Sequence, residues 1–303
     1  MRTFVLAASL LALAACGAPS DDAMVDATDT VMTDAQTVVA QPAMSFDAAA
    51  LRAALDAQDE AAKARFAFRH PEQTLQFFGI APGMRVGEAL PGGGWYSKIL
   101  LPYLGEDGTL VGVNYSMDLW PNFGFMTEER LAEMEVWETT WPEQAQNWNT
   151  AGADIDAYTF ATLPADASLD AFLFIRALHN LNRFEDGRFM DEALANVFAA
   201  LKPGGTVGVV QHEGPADAAD DWADGSNGYM RRADVVAAFE RAGFELVGAS
   251  DINANPADMP TSEDIVWRLP PSLATSREDA ELRTRMEAIG ESNRMTLRFR
   301  KPA

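Results

Sequence analysis

The chain has 303 residues, of which 48% are hydrophobic, and it carries a formal net charge of −22 at pH 7. This length allows two domains, but a single α/β domain of about 240 residues is ordinary. A surface this acidic repels phosphate backbones and anionic lipid headgroups, which excludes nucleic acid as a partner.

The first fifteen residues are typical of an export signal. A short basic start precedes an apolar run, 4–13, that is too short to span a bilayer. The Leu-Ala-Ala-Cys that ends at Cys16 resembles the lipobox of bacterial lipoproteins, in which the cysteine is lipidated. Cys16 is the only cysteine, so no disulfide is possible. The alternative is an ordinary signal peptide with a chance cysteine.

The lipobox resemblance implies a cellular location. It implies a periplasm-facing lipoprotein of the cell envelope in a Gram-negative-type bacterium, attached to the membrane only through its N-terminal lipid anchor. Residues 16–43 are rich in Ala, Asp, Thr and Val and contain no aromatic residue. This composition predicts a disordered acidic tether that leads into a folded domain over residues 44–303.

Two helices are predicted before the first strand. Residues 46–63 are rich in alanine. Residues 71–78 begin with a proline, as helices often do, and end before Gly79. His70 precedes that proline, where it is expected to cap or pack.

A glycine-rich turn follows the first predicted strand, 84–89. Gly92, Gly93 and Gly94 separate this strand from a helix that begins near Ser97. Such a turn lets the backbone approach a ligand and aims the N–H groups of the helix at it. Glu88, at the strand end, is placed to hold a ribose or an amino group. Glycine is also common in plain tight turns, so the motif needs its context.

Three long inserts interrupt the later part of the chain. The first follows the strand 109–114 and contains most of the tryptophans, with a helix over 127–149 that could act as a lid. The second covers 213–231 and the third 251–292. Their aromatic side chains could form a substrate wall, or they could simply pack in the core.

Strands alternate with helices along the chain, which favours a largely parallel sheet covered on both faces. The predicted strands are 84–89, 109–114, 155–160, 170–175, 206–211, 244–250 and 295–300. Open α/β sheets bind ligands beyond the carboxyl ends of their strands. His179 follows the fourth strand and His212 the fifth, so both are expected at a pocket rim.

Each of these histidines could act as a general base or orient an acceptor, although a structural role is the alternative for each. Asn180 and Glu213, which neighbour the histidines, and Tyr96, which follows the glycine turn, are the candidate substrate contacts. No His or Cys spacing indicates a metal site. No Gly-x-Ser-x-Gly motif for a serine nucleophile is present.

Three features, in order, resemble the class I S-adenosylmethionine-dependent methyltransferases. They are the turn from Glu88 to Gly94, the Leu-His-Asn that ends at Asn180, and the Lys-Pro-Gly-Gly over 202–205. The resemblance covers roughly residues 60–302 and is greatest to an uncharacterised bacterial group with a Pro-Gly-Gly-Gly-Trp-Tyr motif. It implies a Rossmann-like, seven-stranded, mostly parallel sheet with helices on both faces and a reversed last hairpin.

The resemblance also implies a cofactor and its contacts. S-adenosylmethionine would lie with its methionine portion on Glu88 and the turn glycines, its ribose at Asn114 and its adenine at Asp156. His179 and His212 would face a small-molecule acceptor. Leu90 stands where the family usually has glycine, and Asn114 where it usually has an acidic residue. A non-catalytic envelope protein that binds another ligand in the same crevice is therefore the alternative function.

Overall fold

A computed structural model describes residues 44–303. The predicted signal peptide (1–15), the lipidation site Cys16 and the predicted tether (16–43) lie outside the described residues. Between residues 44 and 303, no helix has the combination of length and apolar composition that crossing a membrane requires.

Helices and strands alternate through most of the described chain. The α-helices are α1 (Ala48–Asp56), α2 (Glu60–Lys63), α3 (Phe66–Arg69), α4 (Pro71–Phe78), α5 (Ser97–Leu104), α6 (Glu128–Glu135), α7 (Trp137–Gln146), α8 (Leu178–Asn182), α9 (Arg188–Ala200), α10 (Arg232–Arg241) and α11 (Ala280–Ile289). The strands are β1 (Arg85–Ala89), β2 (Thr109–Asn114), β3 (Asp154–Thr159), β4 (Leu169–Ile175), β5 (Leu201–His212), β6 (Glu245–Ser250) and β7 (Arg294–Arg300).

The strands form one seven-stranded sheet in the order β3-β2-β1-β4-β5-β7-β6. Neighbouring strands from β3 to β5 are parallel, whereas β7 is antiparallel to both β5 and β6. This order confirms the predicted Rossmann-like sheet with its reversed last hairpin, which is the sheet of the class I methyltransferase fold. The order in which strands are added to the sheet reverses between β1 and β4, so a crevice opens at the carboxyl ends of these two parallel strands.

The fifth strand is longer than predicted. It begins at Leu201 and not at residue 206, because the Lys-Pro-Gly-Gly segment continues the strand through a bulge opposite β4. Gly204 has a φ of 78°, a conformation that glycine adopts without strain. Lys202 Nζ lies 2.6 Å from the Asp170 carboxylate and closes the bulge.

Because side chains alternate along a strand, the sheet supports two cores. One face packs Val111, Phe172 and Val207 under α9 and α10. The other face packs Val86, Leu110 and Leu173 under α1, α4, α5 and α7. The predicted helix over 127–149 is two helices that meet at Val136. The second, α7, is a buried crossover on the sheet and not a lid, since its Trp141 is only 1% exposed and contacts Gly112.

Candidate functional site

The glycine turn lies at the carboxyl end of β1. Leu90 has a φ of 47° and Gly92 a φ of 51°, so the chain leaves the strand through two left-handed residues. Gly93 is exposed and has open space where a Cβ would stand. Gly94 differs, because the ring of Trp148 occupies the space of its missing Cβ. The open part of the turn is therefore Gly92 and Gly93, and these fit the close approach of a cofactor.

Glu88 lies beneath this turn. Its side chain is buried, and the hydroxyl of Ser97, the first residue of α5, donates to Glu88 Oε2 at 2.7 Å. Burial raises the pKa of Glu88 to about 7, and the bond from Ser97 opposes that rise. Glu88 thus links the strand to the helix that follows the turn. A cationic amino group placed beside it would restore its charged form.

Asn114 ends β2 and is buried. Its Oδ1 accepts a hydrogen bond from the backbone N–H of Tyr115 at 2.8 Å, and its Nδ2 lies 3.7 Å from the sulfur of Met134. The weak sulfur contact leaves Nδ2 as the group with which Asn114 could hold a ribose hydroxyl. This is a poorer ribose site than a free carboxylate would offer.

A cavity of about 550 Å³ opens at the carboxyl ends of β1, β2 and β4. We call it the aromatic cavity; it is lined by Leu90, Tyr115, Trp120, Phe123, Phe125, His179, Asn180, Arg183 and Trp267. Its volume lies within the range of about 300–1,000 Å³ that is usual for small-molecule sites. The first and third inserts supply most of the wall, while the strand ends supply the polar groups.

The structure brings the two predicted histidines together. The rings of His179, in α8, and His212, at the end of β5, have centroids 5.6 Å apart. Burial lowers the pKa of His179 to about 4 and lowers the pKa of His212 well below its ordinary value. Both rings are consequently neutral at pH 7, the form that can accept a proton or donate a single hydrogen bond.

Hydrogen bonds distinguish the two rings. Gln211 Nε2 donates to the carbonyl of Gly228 at 3.0 Å, which orients its amide, and lies 3.5 Å from His179 Nδ1. His179 then accepts at Nδ1 and carries its proton on Nε2, so it is suited to donating to a ligand. His212 Nδ1 lies 2.5 Å from the hydroxyl of Ser292, which can either donate or accept. His212 can therefore present an unprotonated Nε2, as a base requires.

The other predicted site residues divide into those near the cavity and those away from it. Asn180 lines the aromatic cavity, whereas Tyr96 is buried beside Trp95, close to Arg69, Arg176 and Arg294. Burial raises the pKa of Tyr96, so its hydroxyl stays protonated.

Asp156 and Glu213 lie elsewhere. Asp156 is three residues before the end of β3, roughly 10 Å from the carboxyl edge, and its carboxylate pairs with Arg85 at 2.5 Å. Glu213 pairs with Arg232 through two hydrogen bonds of 2.8 and 2.9 Å and lines a separate surface cavity. Side chains alternate along a strand, so Glu213 points away from the ligand side that His212 faces.

Two residues that line the site, Trp267 and Arg176, were not among the individual site residues predicted from the sequence. Trp267, from the third insert, has its ring 5.9 Å from His179 and lines both the aromatic cavity and a smaller cavity that His212 also lines. Arg176, directly after β4, lines the smaller cavity. The rule that places His179 at the carboxyl edge applies equally to Arg176 and could have found it.

Within residues 44–303 no group of three or more His, Cys, Asp or Glu side chains is arranged to hold a metal ion.

Comparison with protein-family models and with curated proteins gives no match. Several solved structures have a similar fold. The [4+2]-cyclase SpnF is 16% identical (78% of this chain, 81% of that chain, TM-score 0.48). A SAM-dependent methyltransferase from Aquifex aeolicus is 17% identical (69% and 94%, TM-score 0.46). An arsenic(III) S-adenosylmethionine methyltransferase from Chlamydomonas reinhardtii is 17% identical (84% and 73%, TM-score 0.42). Similarity at this level concerns the fold alone.

Proposed function

We propose that the chain is an S-adenosylmethionine-dependent methyltransferase that acts on a small molecule. One observation carries the proposal: Leu90 of the glycine turn and His179 of α8 line the same cavity. Methyl transfer requires donor and acceptor to be held in line with water excluded, and a shared cavity with aromatic walls offers both conditions.

The residues that would hold the cofactor follow from the open groups of the site. Gly92 and Gly93 offer unobstructed backbone, Glu88 a carboxylate for an amino group, and Asn114 its Nδ2 for the ribose. When bound, the cofactor supplies an electrophilic methyl group whose bond to sulfur breaks as the acceptor bonds to the carbon.

The two histidines would act on the acceptor. His179 donates from Nε2 and orients the acceptor in the aromatic cavity. His212 receives on Nε2 the proton that an O–H or N–H acceptor loses, and Ser292 holds its ring through Nδ1. Their lowered pKa values keep both rings neutral, so neither repels a cationic donor.

We also propose that the protein is exported and anchored through lipid on Cys16, with the domain facing the periplasm. The lipobox-like sequence and the single cysteine support this proposal. A Cys16→Ser variant is expected to move from the membrane fraction to the soluble envelope fraction, whereas unchanged membrane association would contradict the anchor.

A second candidate is a non-catalytic ligand-binding protein on the same fold. The bond from the backbone of Tyr115 to Asn114 Oδ1 favours it, because it occupies the oxygen that a ribose would need. Titration calorimetry of the full-length protein with S-adenosylmethionine and S-adenosylhomocysteine separates the two. If the protein is the enzyme, we expect saturable heat with both ligands. If neither ligand gives heat at millimolar concentration, only the non-catalytic binding function remains.

A further inference from the structure

Four arginines surround one buried carboxylate at the carboxyl edge of the sheet. We call them the arginine cluster: Arg65, Arg69, Arg176 and Arg294, around Glu291. Arg65 and Arg69 come from the N-terminal helices, Arg176 follows β4, and Arg294 begins β7. The chain has a net charge of −22, so this local concentration of positive charge is unusual.

Three of the four contact the carboxylate directly. Arg65 Nη2 lies 2.7 Å, Arg69 Nε 3.3 Å and Arg294 Nη1 3.2 Å from the oxygens of Glu291. Arg69 also lies over the ring of Trp95, 4.4 Å from its centroid, and Arg294 donates to the carbonyl of Phe68. These arginines have structural partners.

Arg176 is the exception. Its guanidinium makes no ion pair or side-chain hydrogen bond among the described residues, and its Nε is shielded from solvent without a partner. Burial and the neighbouring Arg294 lower its pKa to about 10, so it remains charged at pH 7. The Glu291 carboxylate is already paired with three guanidinium groups. A fourth, unpaired cation in such surroundings is costly unless an anion joins it.

Arg176 also faces a place where an anion fits. We call it the arginine cavity: it has a volume of about 130 Å³ and is lined by Arg176, His212, Val266, Trp267, Leu269, Pro270, Pro271, Ser272, Glu291 and Ser292. Half of these residues are polar (Arg176, His212, Glu291 and the two serines), and the other half form an apolar side made of Val266, Trp267, Leu269 and the two prolines. Trp267 forms a wall of both this cavity and the aromatic cavity.

We infer that the arginine cavity binds a carboxylate carried by an apolar or aromatic small molecule, with Arg176 as its partner. The planar guanidinium matches a carboxylate through two parallel hydrogen bonds, and the proline and tryptophan walls suit an apolar body. Since His212 lines the same cavity, this inference rests on the proposed function for one point only: that the carboxylate belongs to the methyl acceptor.

The test uses benzoate as the probe and benzamide, its neutral counterpart of the same shape, as the matched ligand. Thermal unfolding of the full-length protein is followed at constant ionic strength while each is titrated. Benzoate is expected to raise the melting temperature saturably and benzamide is not. Equal effects of the two, or saturable stabilisation by inorganic phosphate but not by benzoate, would overturn the inference.

Variants locate the effect. Arg176→Gln is expected to weaken benzoate binding by about tenfold or more, because a charge-assisted pair is lost. Arg176→Lys keeps the positive charge but cannot form two parallel hydrogen bonds to one carboxylate. Its affinity for benzoate is expected to lie between those of the wild type and Arg176→Gln. Arg241→Gln is the matched control, since Arg241 is exposed at the end of α10 and lines neither the aromatic cavity nor the arginine cavity.

Two further readouts separate this role from others. Without ligand, Arg176→Gln is expected to melt no lower than wild type, because it removes an unpaired cation; a clear decrease would show a structural role instead and overturn the inference. S-adenosylhomocysteine titrated into the same variant tests the proposed function independently. If the wild-type protein binds benzoate but no S-adenosylhomocysteine binds, the carboxylate site is supported and the methyltransferase function is contradicted. If S-adenosylhomocysteine binds but benzoate does not, the methyltransferase function is supported and the carboxylate site is contradicted.

Discussion

The hydroxyl of Tyr115 donates a hydrogen bond to the backbone carbonyl of Ala177 at 3.0 Å. Tyr115 follows β2 and Ala177 follows β4, so this bond passes over the carboxyl end of β1, which lies between them in the sheet. It connects the two sides of the crevice and fixes the inner wall of the aromatic cavity. The position of this wall determines how much of the glycine turn a ligand can reach.

Replacing Tyr115 by phenylalanine is expected to cost about 1 kcal/mol of unfolding free energy, because one buried hydrogen bond is lost. Tyr103→Phe is a control away from the crevice, where the Tyr103 hydroxyl donates to the carbonyl of Ile80 at 2.9 Å and accepts from the backbone N–H of Asp47 at 3.2 Å. Urea denaturation should show a loss for Tyr103→Phe at least as large as the loss for Tyr115→Phe. Only Tyr115→Phe should weaken binding of S-adenosylhomocysteine, and equal affinities in the two variants would contradict a role for the bond in the cavity.

The buried His179 makes stability depend on pH. Its pKa of about 4 in the folded protein lies below the ordinary 6.5, so the unfolded chain binds more protons between these values. The free energy of unfolding therefore decreases as the pH falls below 6.5, by about 2 kcal/mol at pH 5 from this group alone. His179→Gln should reduce the difference in stability between pH 7.5 and pH 5, and an unchanged difference would show that the ring is not buried in its neutral form.

Glu88 should have the opposite pH dependence. Its pKa of about 7 in the folded protein is raised from 4.5, so stability is complete below pH 4.5 and decreases as the pH rises through 7. Glu88→Gln retains an acceptor for Ser97. It should become more stable than wild type as the pH rises from 5 to 8, by about 2 kcal/mol in chemical denaturation.

The same Glu88→Gln variant should bind S-adenosylmethionine more weakly, because the neutral amide loses the charge-assisted hydrogen bond to the amino group of the cofactor. Higher stability together with weaker binding would identify Glu88 as a residue retained for function. A variant that is more stable and binds with unchanged affinity would show that the cofactor does not contact Glu88.

The turn itself is tested at Gly93. Because this residue is exposed with open space at its missing Cβ and lacks a positive φ, Gly93→Val should fold with an unchanged melting temperature. The valine side chain would occupy the space expected for the cofactor, so S-adenosylhomocysteine binding should be lost, with a smaller loss for Gly93→Ala. Wild-type affinity in the valine variant would exclude the proposed placement.

The sequence predicted the sheet well because each strand is a short apolar run bounded by glycine, proline or polar residues. Observed strands begin and end within a residue or so of the predicted ones, except at Leu201, where the bulge extends β5. His179 and His212 could be placed together from topology alone, since adjacent parallel strands deliver their carboxyl ends to one edge.

The arginine cluster could not be predicted in the same way. Arg65 and Arg69 contact Glu291 across more than 220 positions of the chain, and no local pattern indicates such a contact. The position of Asp156 within its strand could not be predicted either, although the strand itself was. It lies in the predicted strand, but its place along β3 and its ion pair with Arg85 depend on the register with β2, which one sequence does not reveal.

The most direct test is a crystal structure of the full-length protein with S-adenosylhomocysteine. We expect the ligand to lie against Gly92 and Gly93, with its sulfur facing the cavity that Leu90 and His179 line. Ligand bound only outside that cavity would contradict the shared donor and acceptor site.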